Sequence, residues 1–433
     1  MKMEVNKLKF WQTEIFVVLW LSYGATYFLR KPLALIKDDL QSSMNLTSAD
    51  LGWVDTSFLL PYALVSLTFS HLGDRYGPRH TLAGGLLITA VASAFISYCD
   101  SFVLMLGLLL VSGAGQSLLW PAACSLLSKW YSDDSRNSIF GMFGTCCFAG
   151  GLAGTGLAVW VQSMYGWKLI FIPPAIIVSI LGALCYLVAY PPEARGISVP
   201  GREVESTSPE APKPQSGKTS FLSLFWINLV PEVSLSMFCV KAVRYALMLW
   251  LPLYFLRSLE YSKVNAGLAA TAFEIGGAGG SALLGIVVDK CMKGKALLVA
   301  AICIGGSAVT LILFMLTSSW GPIFHTLFLV LAGALNCGPD ILLAGSVAAE
   351  IGEREGGVAL GVTGVVNGMG SLGTVLEGPM VSFAAAWFGW SSMVPLMIVL
   401  SCVGAAASFR ASVLHDKLSA TTAKRPLVET EIV

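Results

Sequence analysis

Charge is what this sequence has least of. Lys, Arg, Asp and Glu make up 12% of its 433 residues, against about a quarter in soluble globular proteins. That scarcity excludes an ordinary water-facing surface. The net charge is +1, so no broad field of one sign points to nucleic acid. The cysteines are scattered, and Cys146, Cys147, Cys185, Cys303 and Cys402 fall in apolar runs. They show neither metal-ligand spacing nor a disulfide framework, and no metal or cofactor is expected. No nucleophile–base set stands out, and His80 and His325 are lone histidines, so the chain is not read as an enzyme. Ser216-Gly217-Lys218-Thr219 resembles the end of a phosphate-binding loop. The upstream glycine is missing, which disfavours an ATP-driven pump. A cleavable signal is not expected, because the first apolar run is too long and has no small-residue cleavage site.

Long apolar runs are what the chain has instead; 55% of it is hydrophobic. Runs long enough to cross a bilayer occupy roughly 14–36, 51–72, 81–99, 102–127, 137–163 and 168–190. Residues 191–222 then change character, with Pro191, Pro192, Pro200, Pro209, Pro212 and Pro214 among Ser, Glu and Lys. Such a composition reads as a solvated linker. Six more runs follow at about 233–256, 264–288, 296–317, 321–348, 357–384 and 389–409. The expected fold is an all-α membrane protein of twelve transmembrane helices in two six-helix halves. The N-terminal bundle is 1–190, the cytosolic linker 191–222, and the C-terminal bundle with a short cytosolic tail 223–433.

Basic residues set the expected orientation. Of 27, Lys37, Lys168, Arg257 and Lys263 fall in outer loops, and Arg30, Lys31, Lys241 and Arg244 fall inside the membrane; the rest lie on inner segments. This asymmetry predicts cytosolic N- and C-termini. Asn45-Leu46-Thr47 then lies in the first outer loop, where a glycosylation acceptor belongs.

The two halves repeat. Asp74-Arg75-Tyr76-Gly77 follows span 2, and Asp289-Lys290 follows span 8 in the same way. Gly141, Gly144 and Gly150 of span 5 match Gly361, Gly364 and Gly370 of span 11, all three at one common offset. Gly115 and Pro121 of span 4 match Gly333 and Pro339 of span 10, again at a single and closely similar offset. Duplicated halves are a mark of secondary transporters, whose site lies between the repeats near mid-membrane. The glycines themselves read as packing and sliding surfaces.

Arg30 and Lys31 sit about two-thirds of the way along the first span, followed by Pro32 and more apolar residues. A charge at that depth is costly and usually functional, and Pro32 tends to break the helix there. The offset that relates Asp74 to Asp289 carries Arg30 to Tyr245, beside Arg244. Lys241, three residues before Arg244, shares its helix face. Arginine's planar fork of donors matches phosphate oxygens, and lysine adds a mobile point charge. Arg30, Lys31, Lys241 and Arg244 are therefore candidate anion ligands. Tyr23, Tyr27, Trp120, Tyr245 and Trp250 are candidates to line the cavity and hydrogen-bond a sugar. The competing reading pairs each base with a buried acid from Asp55, Glu274, Asp340 and Glu377, with Glu274 expected for Lys241. Glu274 is also a candidate coupling group, and Asp74, Arg75, Asp289 and Lys290 are candidate gating residues.

These residues resemble the major facilitator superfamily, with Asp74-Arg75-x-Gly77 and Asp289-Lys290 as its loop signature and Ser70 departing from the usual opening glycine. Within it the chain resembles the organophosphate:phosphate antiporters, especially the eukaryotic sugar-phosphate exchangers. Tyr27-Phe28-Leu29-Arg30-Lys31-Pro32, Arg244-Tyr245 and Trp250-Leu251-Pro252-Leu253-Tyr254 carry that resemblance. It implies exchange of glucose 6-phosphate or glycerol 3-phosphate for inorganic phosphate, with Arg30, Lys31 and Arg244 as the phosphate-binding bases. Cys147 stands where some bacterial members have a histidine. Eukaryotic relatives often reside in the endoplasmic reticulum, which is the favoured compartment, with the plasma membrane as the alternative. The partners expected are phosphate and organic phosphate anions and the lipid bilayer. Two other functions remain open: a proton- or sodium-coupled transporter of another anion, using Glu274 or Asp340, and a non-transporting receptor.

Overall fold

The computed structural model describes residues 2–46, 48–200, 220–261, 263–317, 320–355 and 357–423. Thr47, the linker over 201–219 with its Ser216–Thr219 stretch, and the tail from 424 onward lie outside them, as do the side chains of Lys37, Pro252, Leu253 and Lys263. The described residues of the first half form α1 (Lys2–Ala25), α2 (Tyr27–Leu35), α3 (Lys37–Met44), α4 (Ser48–Tyr76), α5 (Pro78–Ile96), α6 (Phe102–Ser117), α7 (Leu119–Trp130), α8 (Arg136–Tyr165) and α9 (Ile172–Val188). Those of the second form α10 (Phe221–Phe225), α11 (Val230–Ser258), α12 (Lys263–Cys291), α13 (Ala296–Leu316), α14 (Pro322–Leu342), α15 (Ala348–Arg354), α16 (Ala359–Phe388) and α17 (Met393–Ala423). Ten stretches among the described residues are long and apolar enough to cross a membrane. The broken helix α1–α2 and helix α4, which carry more polar residues, complete a twelve-helix bundle.

Spans 1, 4 and 10 are interrupted near a proline, not at it. Pro32 offers no N–H, and the first span breaks upstream of it, at Thr26, where i→i+3 bonds link Thr26 N to Tyr23 O and Leu29 N to Thr26 O, both 3.1 Å. The fourth span breaks at Leu118, between α6 and α7. In the second half the corresponding irregularity is a π turn at Leu343–Val347, just after Pro339. Single π turns are frequent at functional sites.

The repeat is visible in the caps. Helix α8 ends on Gly166 (φ 78°) and α16 on Gly389 (φ 81°), each in a left-handed backbone that favours glycine and each followed by tryptophan and a 3₁₀ turn. It is also visible where helices touch most closely, with one correction to the register. A Cβ on Gly113 would strike the carbonyl of Phe58, and one on Gly333 the carbonyl of Phe273, the residue at the same place in span 8. Gly333 thus corresponds to Gly113, not to Gly115, because backbone contact rather than the nearest glycine fixes the register.

Two pairs of helices make the most extensive contact between the halves: α4 with α16, and α8 with α12. The α4–α16 seam runs from Asp74 inward through Ser70, whose hydroxyl donates to Gly361 O (3.1 Å), and Ser66, which donates to Gly364 O (2.9 Å). It ends at Tyr62 beneath the central cavity. This conformer is therefore closed on the face that carries Asp74 and Asp289.

Candidate functional site

Where the halves meet beyond those seams lies a cavity lined by both. Tyr23, Tyr27 and Arg30 come from α1 and α2, Phe58 and Tyr62 from α4, Trp120 from α7 and Cys147 from α8. Lys241, Arg244 and Tyr245 come from α11, Asp340 from α14, and Asn367, Ser371 and Thr374 from α16. The cavity leaves about 50 Å³ for the centres of water-sized spheres. One water takes up ~10–15 Å³ by that measure, so this conformer has room for a compact anion such as phosphate; a larger ester needs the walls to part.

Among the described residues, Arg30 is held without a carboxylate. Its Nε donates to Gln116 Oε1 at 2.6 Å. Gln116 is fixed in turn by its own Nε2 donating to Thr89 Oγ1 at 2.9 Å, and Thr89 by Ser112 at 2.6 Å. Three rings surround the guanidinium, Tyr27 at 5.0 Å, Tyr62 at 5.2 Å and Phe58 at 5.7 Å, and cation–π attraction favours the charge there. Its Nη2 is buried and has no partner among the described residues. A buried donor left unmade is costly, and an anion in the cavity would remove that cost.

Arg244 is held differently. Its Nη1 donates to Asp340 Oδ2 in a short ion pair, with Phe148 4.9 Å from its Cζ. Lys241, one turn away on the same face, donates to Asn367 Oδ1 at 2.6 Å, and the Asn367 amide donates to the Tyr62 hydroxyl at 3.4 Å. Asn367 thus links the second half's lysine to the first half's tyrosine.

Four expectations are corrected. Lys31 does not line the cavity; its alkyl chain runs over Gly151 of α8, the Cε 3.3 Å from where a Cβ there would sit. One residue along a helix is turned by ~100°, so Lys31 and Arg30 cannot share a face. Lys241 pairs with Asn367 rather than Glu274, which is exposed on α12 and outside the cavity lining. Trp120 lines the cavity, but its indole N–H is engaged by Ala344 O of the π turn (2.8 Å), and its ring stacks on Phe143. It offers ring surface, not a donor for a sugar. Trp250 and Glu377 are also away from the lining.

The gating candidates divide by residue. Asp74 accepts from the backbone N–H groups of Leu360 (3.0 Å) and Gly361 (2.7 Å), in the first turn of α16. Asp289 accepts from Ser138 N (2.6 Å) and Asn137 Nδ2 (2.9 Å), in the first turn of α8. Each signature aspartate caps a helix of the opposite half. Arg75 and Lys290 are exposed. Ion pairs reinforce the same face: Arg136 with Glu353 (2.8 Å) and Lys293 with Asp134 (2.8 Å). The Lys293 ammonium holds the Asp134 carboxyl below the usual carboxylate range. Asn45 is exposed in a turn with φ 51° at the end of α3.

Sequence reasoning did not single out Gln116, Tyr62 or Asn367. The available signal was a buried-type amide within an otherwise apolar run, in spans 4 and 11.

The Major Facilitator Superfamily profile matches residues 19–374. The chain belongs to this superfamily. It is a multi-pass membrane protein of a transporter family. Among its relatives, putative glycerol-3-phosphate transporter 5 of Arabidopsis thaliana is 26% identical over 90% of this chain and 88% of its own length. Glucose-6-phosphate exchanger SLC37A2 of Xenopus laevis is 26% identical, covering 89% of each, and SLC37A1 of Homo sapiens is 26% identical, covering 94% and 93%. The proton:xylose symporter XylE matches the whole architecture with a TM-score of 0.71 at 16% identity, over 94% of this chain and 96% of that one. At that identity the likeness concerns the fold alone.

Proposed function

We propose that this transporter exchanges a phosphorylated metabolite, glucose 6-phosphate or glycerol 3-phosphate, for inorganic phosphate by alternating access. The observation that carries the reading is the meeting of Arg30 with Lys241 and Arg244 in one cavity, from opposite halves. Arginine forks on two sides suit a phosphate, which presents acceptor oxygens all round. The names of the relatives point to the same class. On this reading Arg30, Arg244 and Lys241 bind the phosphoryl group, Tyr27 and Tyr245 bound the organic part, and Asp74 and Asp289 hold one access state. The favoured setting is the endoplasmic reticulum membrane, with both termini cytosolic and Asn45 a glycosylation acceptor.

Purified protein in phosphate-loaded proteoliposomes should take up labelled phosphate and sugar phosphates without a proton gradient. The Arg244–Asp340 pair supports a second reading, in which an arriving anion displaces Asp340 and a proton neutralises it. Uptake that needs a proton gradient and no counter-anion would establish that alternative. Absence of flux with any anion would leave a receptor.

A further inference from the structure

Among the described residues, the charges that line the cavity are three cations and one carboxylate: Arg30, Lys241 and Arg244 against Asp340. The net is two positive charges. The other titratable groups in the lining are the hydroxyls of Tyr23, Tyr27, Tyr62 and Tyr245 and the Cys147 thiol. The two halves reach this total unequally. Among the described residues, Arg30 of the first half has only neutral partners, Gln116 and three rings. In the second half Asp340 compensates Arg244, while Lys241 has a neutral partner, Asn367.

Resting on the reading that the cavity takes phosphate esters, we infer that Asp340 sets the charge of the site at two, and so selects substrates that carry two negative charges. A phosphate monoester above its second pKa of about 6 carries close to two. Bound, it leaves the closing cavity neutral. An ester with a further carboxylate leaves one negative charge unmatched, and an ester with an ammonium leaves one positive charge unmatched. In a water-excluded space an unmatched charge is the larger part of the penalty, so charge count outranks shape among esters of similar size. Asp340 acts on the substrate through Arg244: it is a positioning and charge-setting residue, and its side chain is almost wholly buried at 4% exposure.

The test uses three phosphate esters of similar size that differ in net charge near pH 7.5: phosphoethanolamine (one negative), glycerol 3-phosphate (two) and 3-phosphoglycerate (three). Each is titrated as an inhibitor of phosphate–phosphate counterflow in proteoliposomes. The wild type should be inhibited best by glycerol 3-phosphate. Asp340→Asn raises the site to three positive charges and should move the optimum to 3-phosphoglycerate, changing the ratio of the two inhibition constants by tenfold or more. Asp340→Glu keeps the charge and should keep the wild-type order, whatever its rate. Lys241→Gln lowers the site to one positive charge and should shift the order towards phosphoethanolamine; it carries the test if Asp340→Asn fails to fold. A merely structural role for Asp340 would weaken all three inhibitors by the same factor. An unchanged order in a variant that still exchanges phosphate overturns this inference alone. A wild type that exchanges no phosphate overturns the functional reading and this inference with it.

Discussion

Asp74 accepts a hydrogen bond of 2.7 Å from the backbone N–H of Gly361, which lies in the other half of the molecule. Its counterpart Asp289 reaches Ser138 N at 2.6 Å. Each carboxylate satisfies donors that the first turn of a helix leaves open and meets the positive end of its dipole. Glycine at 361 permits the approach, because a Cβ there would lie 2.9 Å from Asp74 Oδ2. The pair of caps ties the halves together on one face mainly through backbone N–H groups, with Asn137 Nδ2 as a side-chain donor to Asp289, so the tie breaks whenever the halves rock apart.

Asp74→Asn should therefore loosen this conformer while leaving the cavity intact. Asparagine keeps one acceptor but loses the charge, a change of about 1 kcal/mol for a capping residue. The ratio of closed to open conformers would fall about fivefold. Amide hydrogen exchange at Leu360 and Gly361 should speed up, and turnover should slow more than phosphate binding weakens. Weakened binding with unchanged turnover would place Asp74 on the substrate path instead.

The cavity separates two neighbours that the sequence presents as a pair. Arg30→Lys loses the bond to Gln116 and the planar contacts with Tyr27 and Tyr62. A charge-assisted bond is worth about 1.5–3 kcal/mol, so exchange should fall by about ten- to a hundredfold. Arg244→Lys should cost as much. Lys31→Gln should cost less than a few-fold, because that side chain lies against α8. Equal losses at positions 30 and 31, measured as initial rates in reconstituted protein of matched amount, would return Lys31 to the site.

How much of this could be read from the chain follows from what each residue costs. Arg30 and Arg244 stand out because a cation within an apolar run is expensive wherever it packs. Asp74 and Asp289 stand out because they recur with the repeat. Gln116 and Asn367 do not, since a neutral amide is tolerable inside a protein once paired, and their partners lie on other helices. Pairing among charges was equally hidden. Spacing shows that Lys241 and Arg244 share a face, but only packing decides that Asp340 meets Arg244 while Glu274 faces outward. The twelve-span order was legible from hydropathy; the interruptions at Thr26 and Leu118 were not, because the structure breaks each span upstream of its proline.

Cys147 gives a chemical handle on the cavity. It lines the space beside the basic residues, whereas Cys291 and Cys402 are exposed elsewhere. A small, charged thiol reagent should block exchange, and saturating phosphate should slow that block by tenfold or more. Cys147→Ser protein should resist the reagent. Mass spectrometry of the modified protein checks the site: block that persists in Cys147→Ser, or phosphate protection that leaves labelling of Cys147 unchanged, would move the anion away from α8.

The charge balance of the empty site also predicts exchange rather than leak. The sequence alone suggests that Arg30, Lys31 and Arg244 face one another unpaired; the structure replaces that set with Arg30, Lys241 and an Arg244–Asp340 pair. The surplus falls from three positive charges to two, and the cavity must shed water around them whenever it reorients. Stripping water from an unmatched charge costs several kcal/mol even after relaxation, and about 1.4 kcal/mol is tenfold in rate. A bound phosphate offsets the surplus and fills the open donor on Arg30. Efflux of preloaded labelled phosphate should thus be slow into phosphate-free buffer and should accelerate at least tenfold when phosphate or glycerol 3-phosphate is added outside. In Lys241→Gln protein, with one positive charge fewer, the difference between the two conditions should narrow because the empty carrier returns faster. Equal efflux under both conditions in the wild type would mean that the empty cavity closes freely, and a proton on the acids or an entering ion, not the substrate, would then balance Arg30 and Lys241.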